Sequence, residues 1–134
     1  MERTYSGSCH CGDVTYQADI DLQAGTGKCN CSICMKLRSW NALLKPHAFR
    51  LLSATSAMSE YRFGSMAGRY FFCRACGVHV FSRANIASLG GELVAVQLST
   101  LDDAGSNELA NAPVFIANGK DNDWTQPPSE TRHL

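Results

Sequence analysis

The chain has no surplus of charge: Lys plus Arg and Asp plus Glu each number 12, so the formal net charge is zero. The strongly basic field that gathers nucleic acid is therefore missing, and nucleic-acid binding is set aside. No stretch reaches the roughly 18 apolar residues of a membrane-spanning helix. The opening MERTYSGSCH lacks a charged segment followed by an apolar run, so no export signal is expected. The expected location is the reducing cytoplasm, where disulfides are rare and clustered cysteines hold metal or do redox chemistry. Internal repeats and low-complexity tracts are also lacking. So are long helical stripes, because Ser, Thr and Gly recur too often for a 3.6-residue apolar period to persist.

What is there is an ordinary globular composition, 45% hydrophobic and 18% charged, which argues against a disordered tail or fibre. At 134 residues the chain is expected to form one domain over 1–134, with the polar tail after about 118 at the periphery. A chain of this size buries roughly two-thirds of its unfolded surface, enough for a core without disulfide staples. Val14, Tyr16 and Ala18 alternate with polar neighbours, and Leu93–Leu98 reads LVAVQL; both patterns predict strands. Arg69–Cys73 and Val78–Phe81 read as two arms of a hairpin around CRACG. Ser32 is placed as the cap of a short helix through Arg38, Pro46 as the first residue of a single turn over His47 to Phe49, and Asp102–Pro113 as irregular. The expected architecture is mainly β, with many turns and little helix.

Against this plain background the 7 cysteines are not scattered. They fall in three clusters: Cys9 and Cys11 in GSCHCG, Cys29, Cys31 and Cys34 in CNCSIC, and Cys73 and Cys76 in FCRACG. Thiolates two or three residues apart converge on one ion, because a tight turn points both sulfurs inward and frees backbone amides to hydrogen-bond them. Gly77 is the residue that would take a positive φ as the chain leaves its turn. A closed structural zinc site takes four ligands, and seven does not divide into closed fours. The natural partition sets Cys9, Cys11, Cys73 and Cys76 around one ion and leaves Cys29, Cys31 and Cys34 on a second with one position open, as in catalytic zinc sites. The first set clips together distant parts of the chain, whereas the second is local and costs the fold less to lose.

Three other readings stand beside this one. A disulfide framework leaves one cysteine unpaired. A second structural zinc would be closed by His10, His47 or His79. A redox pair at Cys31 and Cys34 strands Cys29 and lacks the expected βαβ context.

Charge gives the open position a direction. With both sites filled by zinc, the formal charge becomes 0 − 7 + 4 = −3. Three thiolates on a dication make a feeble Lewis acid towards a neutral carbonyl, yet such a site still takes a fourth thiol as thiolate, from a group of solution pKa about 8.5. The fourth ligand is then an incoming sulfur.

Read in order, GSCHCGDVTY, CNCSIC, HAFRLLSA, SEYRFGS, FFCRACGVHVF, VQLSTLD and GKDNDW resemble the successive blocks of the glutathione-dependent formaldehyde-activating enzymes, the S-(hydroxymethyl)glutathione synthase-like family. The resemblance spans nearly the whole chain. It departs at MKLRSW after Cys34, where many members carry a small, glycine-bearing segment, and at Val80, where proline or leucine is frequent.

The resemblance implies a small fold of coiled antiparallel sheets around zinc knuckles, shared with Rab-exchange accessory factors and the B class of methionine sulfoxide reductases. It implies two zinc ions per chain, a structural one on Cys9, Cys11, Cys73 and Cys76 and a catalytic one on Cys29, Cys31 and Cys34. The implied activity joins glutathione or a related thiol to formaldehyde or another small aldehyde, a carbon–sulfur lyase reaction written in reverse. The alternative is a non-catalytic, zinc-stabilised binding module for thiol adducts or a protein partner. Lys36 and Arg38, with Lys28, are the candidates for meeting substrate carboxylates, although solvated surface charge is the first explanation of them, since loops carry such residues everywhere. Trp40, Phe49, Tyr61, Phe63, Tyr70, Phe71, Phe72 and Phe81 are read first as core, with a few walling the open position, and Trp124 as docking the tail.

Overall fold

A computed structural model describes all residues, 1–134. Strands β1 (Arg3–Ser8), β2 (Thr15–Ile20) and β5 (Phe49–Leu51) form a three-stranded sheet in the order β1-β2-β5. The remaining strands are β3 (Thr26–Cys29), β4 (Asn41–Leu44), β6 (Met58–Tyr61), β7 (Arg69–Cys73), β8 (His79–Ile86), β9 (Gly91–Gln97) and β10 (Val114–Ala117). They make a seven-stranded sheet in the order β10-β3-β4-β9-β8-β7-β6. The fold is mainly β, as expected. All the ladders are antiparallel except β3 with β10, which run parallel and bring Ala117 opposite Cys29.

Alternation explains the first sheet's inner face. Tyr16, Ala18 and Ile20 of β2 are buried while Thr15, Gln17 and Asp19 between them are not, the period-2 pattern of a half-buried strand. The Tyr16 ring stacks on Phe49 at 5.2 Å, Phe49 meets Phe81 at 4.5 Å, and Phe81 stacks on Phe71 at 4.8 Å. This aromatic column joins the two sheets. Aromatic pairs of this kind add about 0.5–1.5 kcal/mol each beyond simple burial. The Tyr16 hydroxyl shares a 2.6 Å hydrogen bond with Thr100, so its polar end is satisfied inside the core. The start of the chain is stapled to the end of the VQLSTLD block and the residue after it: Ser8 Oγ donates to Asp102 at 2.7 Å and the Ser6 amide to Asp103 at 3.0 Å.

Several local expectations need revision. The strand expected over Leu93–Leu98 starts at Gly91 and ends at Gln97, and the second hairpin arm extends to Ile86. Asp102–Pro113 is not wholly irregular, because Ser106–Ala110 forms a short helix, α2, whose Glu108 accepts from the Gly105 amide at 2.7 Å and from the Tyr5 hydroxyl at 2.9 Å. Helix α1 covers Ser32–Leu37, but its cap is Cys31; Ser32 lies inside the first turn and caps nothing. The Pro46–Ala48 turn forms with proline leading it.

Candidate metal centres

The Cys9–Cys11 and Cys73–Cys76 knuckles are each a tight turn at a strand end. In one, the Cys9 amide donates to Val14 O at 3.0 Å; in the other, the Cys73 amide donates to Val78 O at 3.0 Å. The same five-residue spacing closes both turns. Gly12 and Gly77 leave them with φ of 86° and 78°, a region that favours glycine. Amides then point at sulfur: Val14 N at 3.3 Å from Cys9 Sγ, and Ala75 N and Cys76 N at 3.3 and 3.4 Å from Cys73 Sγ.

The fold brings Cys9, Cys11, Cys73 and Cys76 together, all four sulfurs lying within 4.8 Å of one another. Cys9 and Cys11 sulfurs are 3.7 Å apart, and Cys11 and Cys73 sulfurs 3.6 Å. A disulfide would need about 2.05 Å, whereas zinc–sulfur bonds of about 2.3 Å in a tetrahedron give sulfur–sulfur edges of about 3.8 Å. All seven cysteines are free, so the disulfide reading is discarded. The donor set fits a structural zinc ion. Amides of Val78 and Cys11 lower Cys76 to about 6. Cys11, despite a lowering contact from the Asp13 amide, is held up at about 12 by desolvation and by the neighbouring thiols. Four sulfurs this close shed all their protons only around a cation.

The second set is built on one local stretch. Cys29 ends β3, Cys31 caps α1 and Cys34 sits one turn into it, with the three sulfurs within 4.8 Å of one another. No histidine or carboxylate of the chain joins them. His79, one of the residues weighed for closing this site, is half-buried and hydrogen-bonds Phe71 O through Nδ1 at 3.0 Å; His10 and His47 are exposed. Hydrogen bonds from the Cys29 and Cys34 thiols and from the Cys34 and Ile33 amides pull Cys31 far down, while Cys34 is pushed far up by its two sulfur neighbours and by burial. Sulfurs this close oppose one another's ionisation, and a dication is what would let all three be thiolates together. The chemistry of the donors fits a zinc ion with one position left over.

A turn roofs this trio. Asn30 donates through Nδ2 to Asn118 Oδ1 at 2.8 Å and accepts from the Lys120 amide at 2.9 Å, while its own amide donates to Ala117 O at 3.3 Å. Gly119 is thereby held so close that a Cβ there would lie 2.6 Å from Cys29 Sγ, 2.8 Å from the Trp124 ring and 3.0 Å from Cys31 Cβ. The stretch after Asn118 thus packs against the trio rather than lying apart from it. Sequence reasoning missed Asn30, Asn118 and Gly119. GKDNDW marks the place, but nothing in its composition says which cysteine it covers.

Beside the trio opens a cavity of about 140 Å³ lined by Lys28, Cys29, Cys34, Arg38, Trp40 and Leu134, among others. Trp40 is fixed by its indole N–H on Thr26 Oγ1 at 2.8 Å, and the Lys28 ammonium lies 5.7 Å from its ring centroid. Lys36 is exposed on α1 and does not line the cavity. Tyr70, one of the aromatics read first as core, lies near the trio: burial, then the charge of Cys34, Cys31 and Cys29, raises its phenol to about 12. Of the other aromatics read first as core, Phe49 and Phe81 are buried and Trp40, Phe71 and Phe72 half-buried, whereas Tyr61 and Phe63 lie at the surface. Tyr61, Phe63 and Tyr70 form a row at 5.8 Å spacings, the first pair stacked and the second tilted, with Tyr61 and Phe63 exposed.

A family model described as "Glutathione-dependent formaldehyde-activating enzyme" matches residues 4–118. Among solved structures, a crystal structure of a Rhodobacter sphaeroides protein is similar at 24% identity, with a TM-score of 0.68, over 82% of this chain and 99% of that one. That likeness supports the fold alone. No helix is long and apolar enough to cross a membrane.

Proposed function

The chain belongs to the glutathione-dependent formaldehyde-activating enzyme family, and from that premise we propose that it is a carbon–sulfur lyase-type enzyme that joins glutathione or a related thiol to formaldehyde or another small aldehyde. The observation that carries this reading is the trio Cys29, Cys31 and Cys34: three convergent sulfurs, no fourth ligand from the chain, and a cavity at their side. A zinc ion held by the trio would stabilise an incoming sulfur as thiolate at neutral pH.

The chain's own residues do the rest. Lys28 and Arg38 offer positive charge at the cavity wall to a substrate carboxylate, and Trp40 supplies an apolar face that limits water. Lys36, off the cavity, has no such part. Tyr70 stays protonated and is therefore a neutral hydroxyl within electrostatic reach of the sulfurs. In the reaction the thiol sulfur forms a bond to the aldehyde carbon, the carbonyl π bond breaks towards oxygen, and the proton lost from sulfur ends on that oxygen. Nothing is oxidised or reduced. Seven free thiols suit a reducing compartment such as the cytoplasm.

The test is to follow hydroxymethyl thioether formation by NMR with zinc-loaded chain, glutathione and formaldehyde, against the spontaneous reaction. Acceleration that disappears in a folded Cys34→Ser chain is expected. Equal rates with and without the protein would leave a thiol-adduct binding module as the function.

A further inference from the structure

One part of the cavity wall comes from far along the chain. After Pro128 the only apolar residue is Leu134. It is half-buried and lines the same cavity as Cys29, Cys34 and Trp40. Two contacts hold it there. The Leu134 amide donates to Thr131 O at 3.0 Å, closing a turn, and Arg38 Nη1 donates to His133 O at 2.7 Å. Arg38 can reach because it ends α1 in the left-handed region, φ 53°, an unusual conformation for a side-chain-bearing residue, which turns the chain out of the helix. The guanidinium thus binds a backbone oxygen of the protein's own chain at the position from which it would meet a substrate carboxylate.

We propose that the Thr131–Leu134 segment is a specificity-determining, displaceable wall of the thiol cavity. It occupies Arg38 and narrows the cavity with Leu134, so that an acidic peptide thiol binds by pushing the segment aside, whereas a small uncharged thiol enters with it in place. The proposal rests on the thiol-substrate reading above and adds to it the selection between thiols. A peptide thiol would recover what it displaces: its carboxylate takes the guanidinium in a charge-assisted pair, which is stronger than the bond to a neutral carbonyl. A neutral thiol has nothing to offer Arg38 and no reason to disturb Leu134.

The test separates binding from turnover. S-methylglutathione carries the peptide but no thiol, and its binding to the zinc-loaded chain is read from tryptophan fluorescence, Trp40 lining the cavity and Trp124 lying over the adjoining turn. Three proteins are compared: the full chain, Leu134→Ser, and a chain ending at Glu130. Removing the segment is expected to tighten S-methylglutathione binding about tenfold, with a smaller gain in Leu134→Ser. The apparent affinity for 2-mercaptoethanol, which has no carboxylate to offer Arg38, should change less than that for S-methylglutathione. Equal S-methylglutathione affinities, or weaker binding without the segment, would overturn the displaceable wall while leaving the substrate reading intact. No binding to any of the three would overturn both. Because Leu134→Ser alters one half-buried side chain, it keeps the test decisive should the shortened chain fold poorly.

Discussion

Gly119→Ala is the sharpest test of how the three-cysteine site is held. The added methyl would lie 2.6 Å from Cys29 Sγ, 2.8 Å from Trp124 and 3.0 Å from Cys31 Cβ. Ordinary carbon–carbon contact begins near 3.5 Å and sulfur needs more, so Cys29 Sγ must give by about 1 Å and Trp124 and Cys31 by about half an ångström or a little more. If the turn lifts, it breaks the two Asn30 side-chain bonds to Asn118 and Lys120, at about 0.5–1.5 kcal/mol each. If Cys29 moves instead, the trio loses its geometry. Either route costs about 1–3 kcal/mol, the usual range for overpacking. Zinc affinity at the trio should then fall by about tenfold for every 1.4 kcal/mol that is felt there, with the four-cysteine site unaffected. Competition with a chromogenic chelator separates the two classes of zinc, and urea unfolding of the same samples reports the cost to the fold. A Gly119→Ala/Trp124→Ala double variant should recover part of the loss, because one of the three obstructions is gone. Wild-type zinc affinity and wild-type stability in Gly119→Ala would refute the claim that this turn is fixed over Cys29.

Three further outcomes are expected. Cys73→Ser should fail to fold or lose most of its stability, while Cys34→Ser stays folded and binds one zinc fewer by elemental analysis, as circular dichroism and metal content will report. Asn30→Ala should cost about 0.5–1.5 kcal/mol in urea unfolding for each of its two lost bonds, to the Lys120 amide and the Asn118 oxygen, and hydrogen exchange at the Lys120 amide should speed up. Burial lowers His79 below its ordinary 6.5, so below that pH the unfolded chain binds a proton the folded chain refuses. Stability should therefore fall as pH drops from about 6.5 towards the folded value and level off beneath it, and in His79→Gln this step of the urea midpoint against pH should vanish.

The cysteine partition was legible because chelation is local chemistry: sulfurs that share an ion through a tight turn must be close in sequence, and four-and-three is the only grouping that closes one site. The hairpin around CRACG and the buried alternation at Tyr16 and Ala18 were legible for a similar reason, since period and turn residues act over a few positions. The roof was not. Asn30 and Asn118 are 88 positions apart and meet because β3 pairs in parallel with β10, a register that a four-residue strand reading VFIA does not announce. Helix α2 has five residues, too few for an apolar stripe to show. Lys36 and Arg38 looked equivalent in sequence. The left-handed turn at Arg38, which no composition rule predicts for arginine, sends one to the cavity and leaves the other in water.

The two sulfur sets differ in what they ask of the fold, and that difference supports giving them different tasks. Cys9 follows β1 of the smaller sheet and Cys73 ends β7 of the larger. An ion shared between them therefore fastens one sheet to the other. Cys11 and Cys73 stand 62 positions apart, and closing a loop of that length removes about 4 kcal/mol of denatured-state entropy on the relation used for cross-links. The trio closes a loop of a few residues, worth about 2 kcal/mol or less by the same relation, and its surroundings come to it through hydrogen bonds that need no metal: Asn30 to the roof and Trp40 to Thr26. A site whose scaffold stands without its ion can leave one coordination position to a visitor, and can exchange that visitor, without putting the fold at risk. The four-cysteine site has no such freedom, because each of its sulfurs is part of the joint between the sheets.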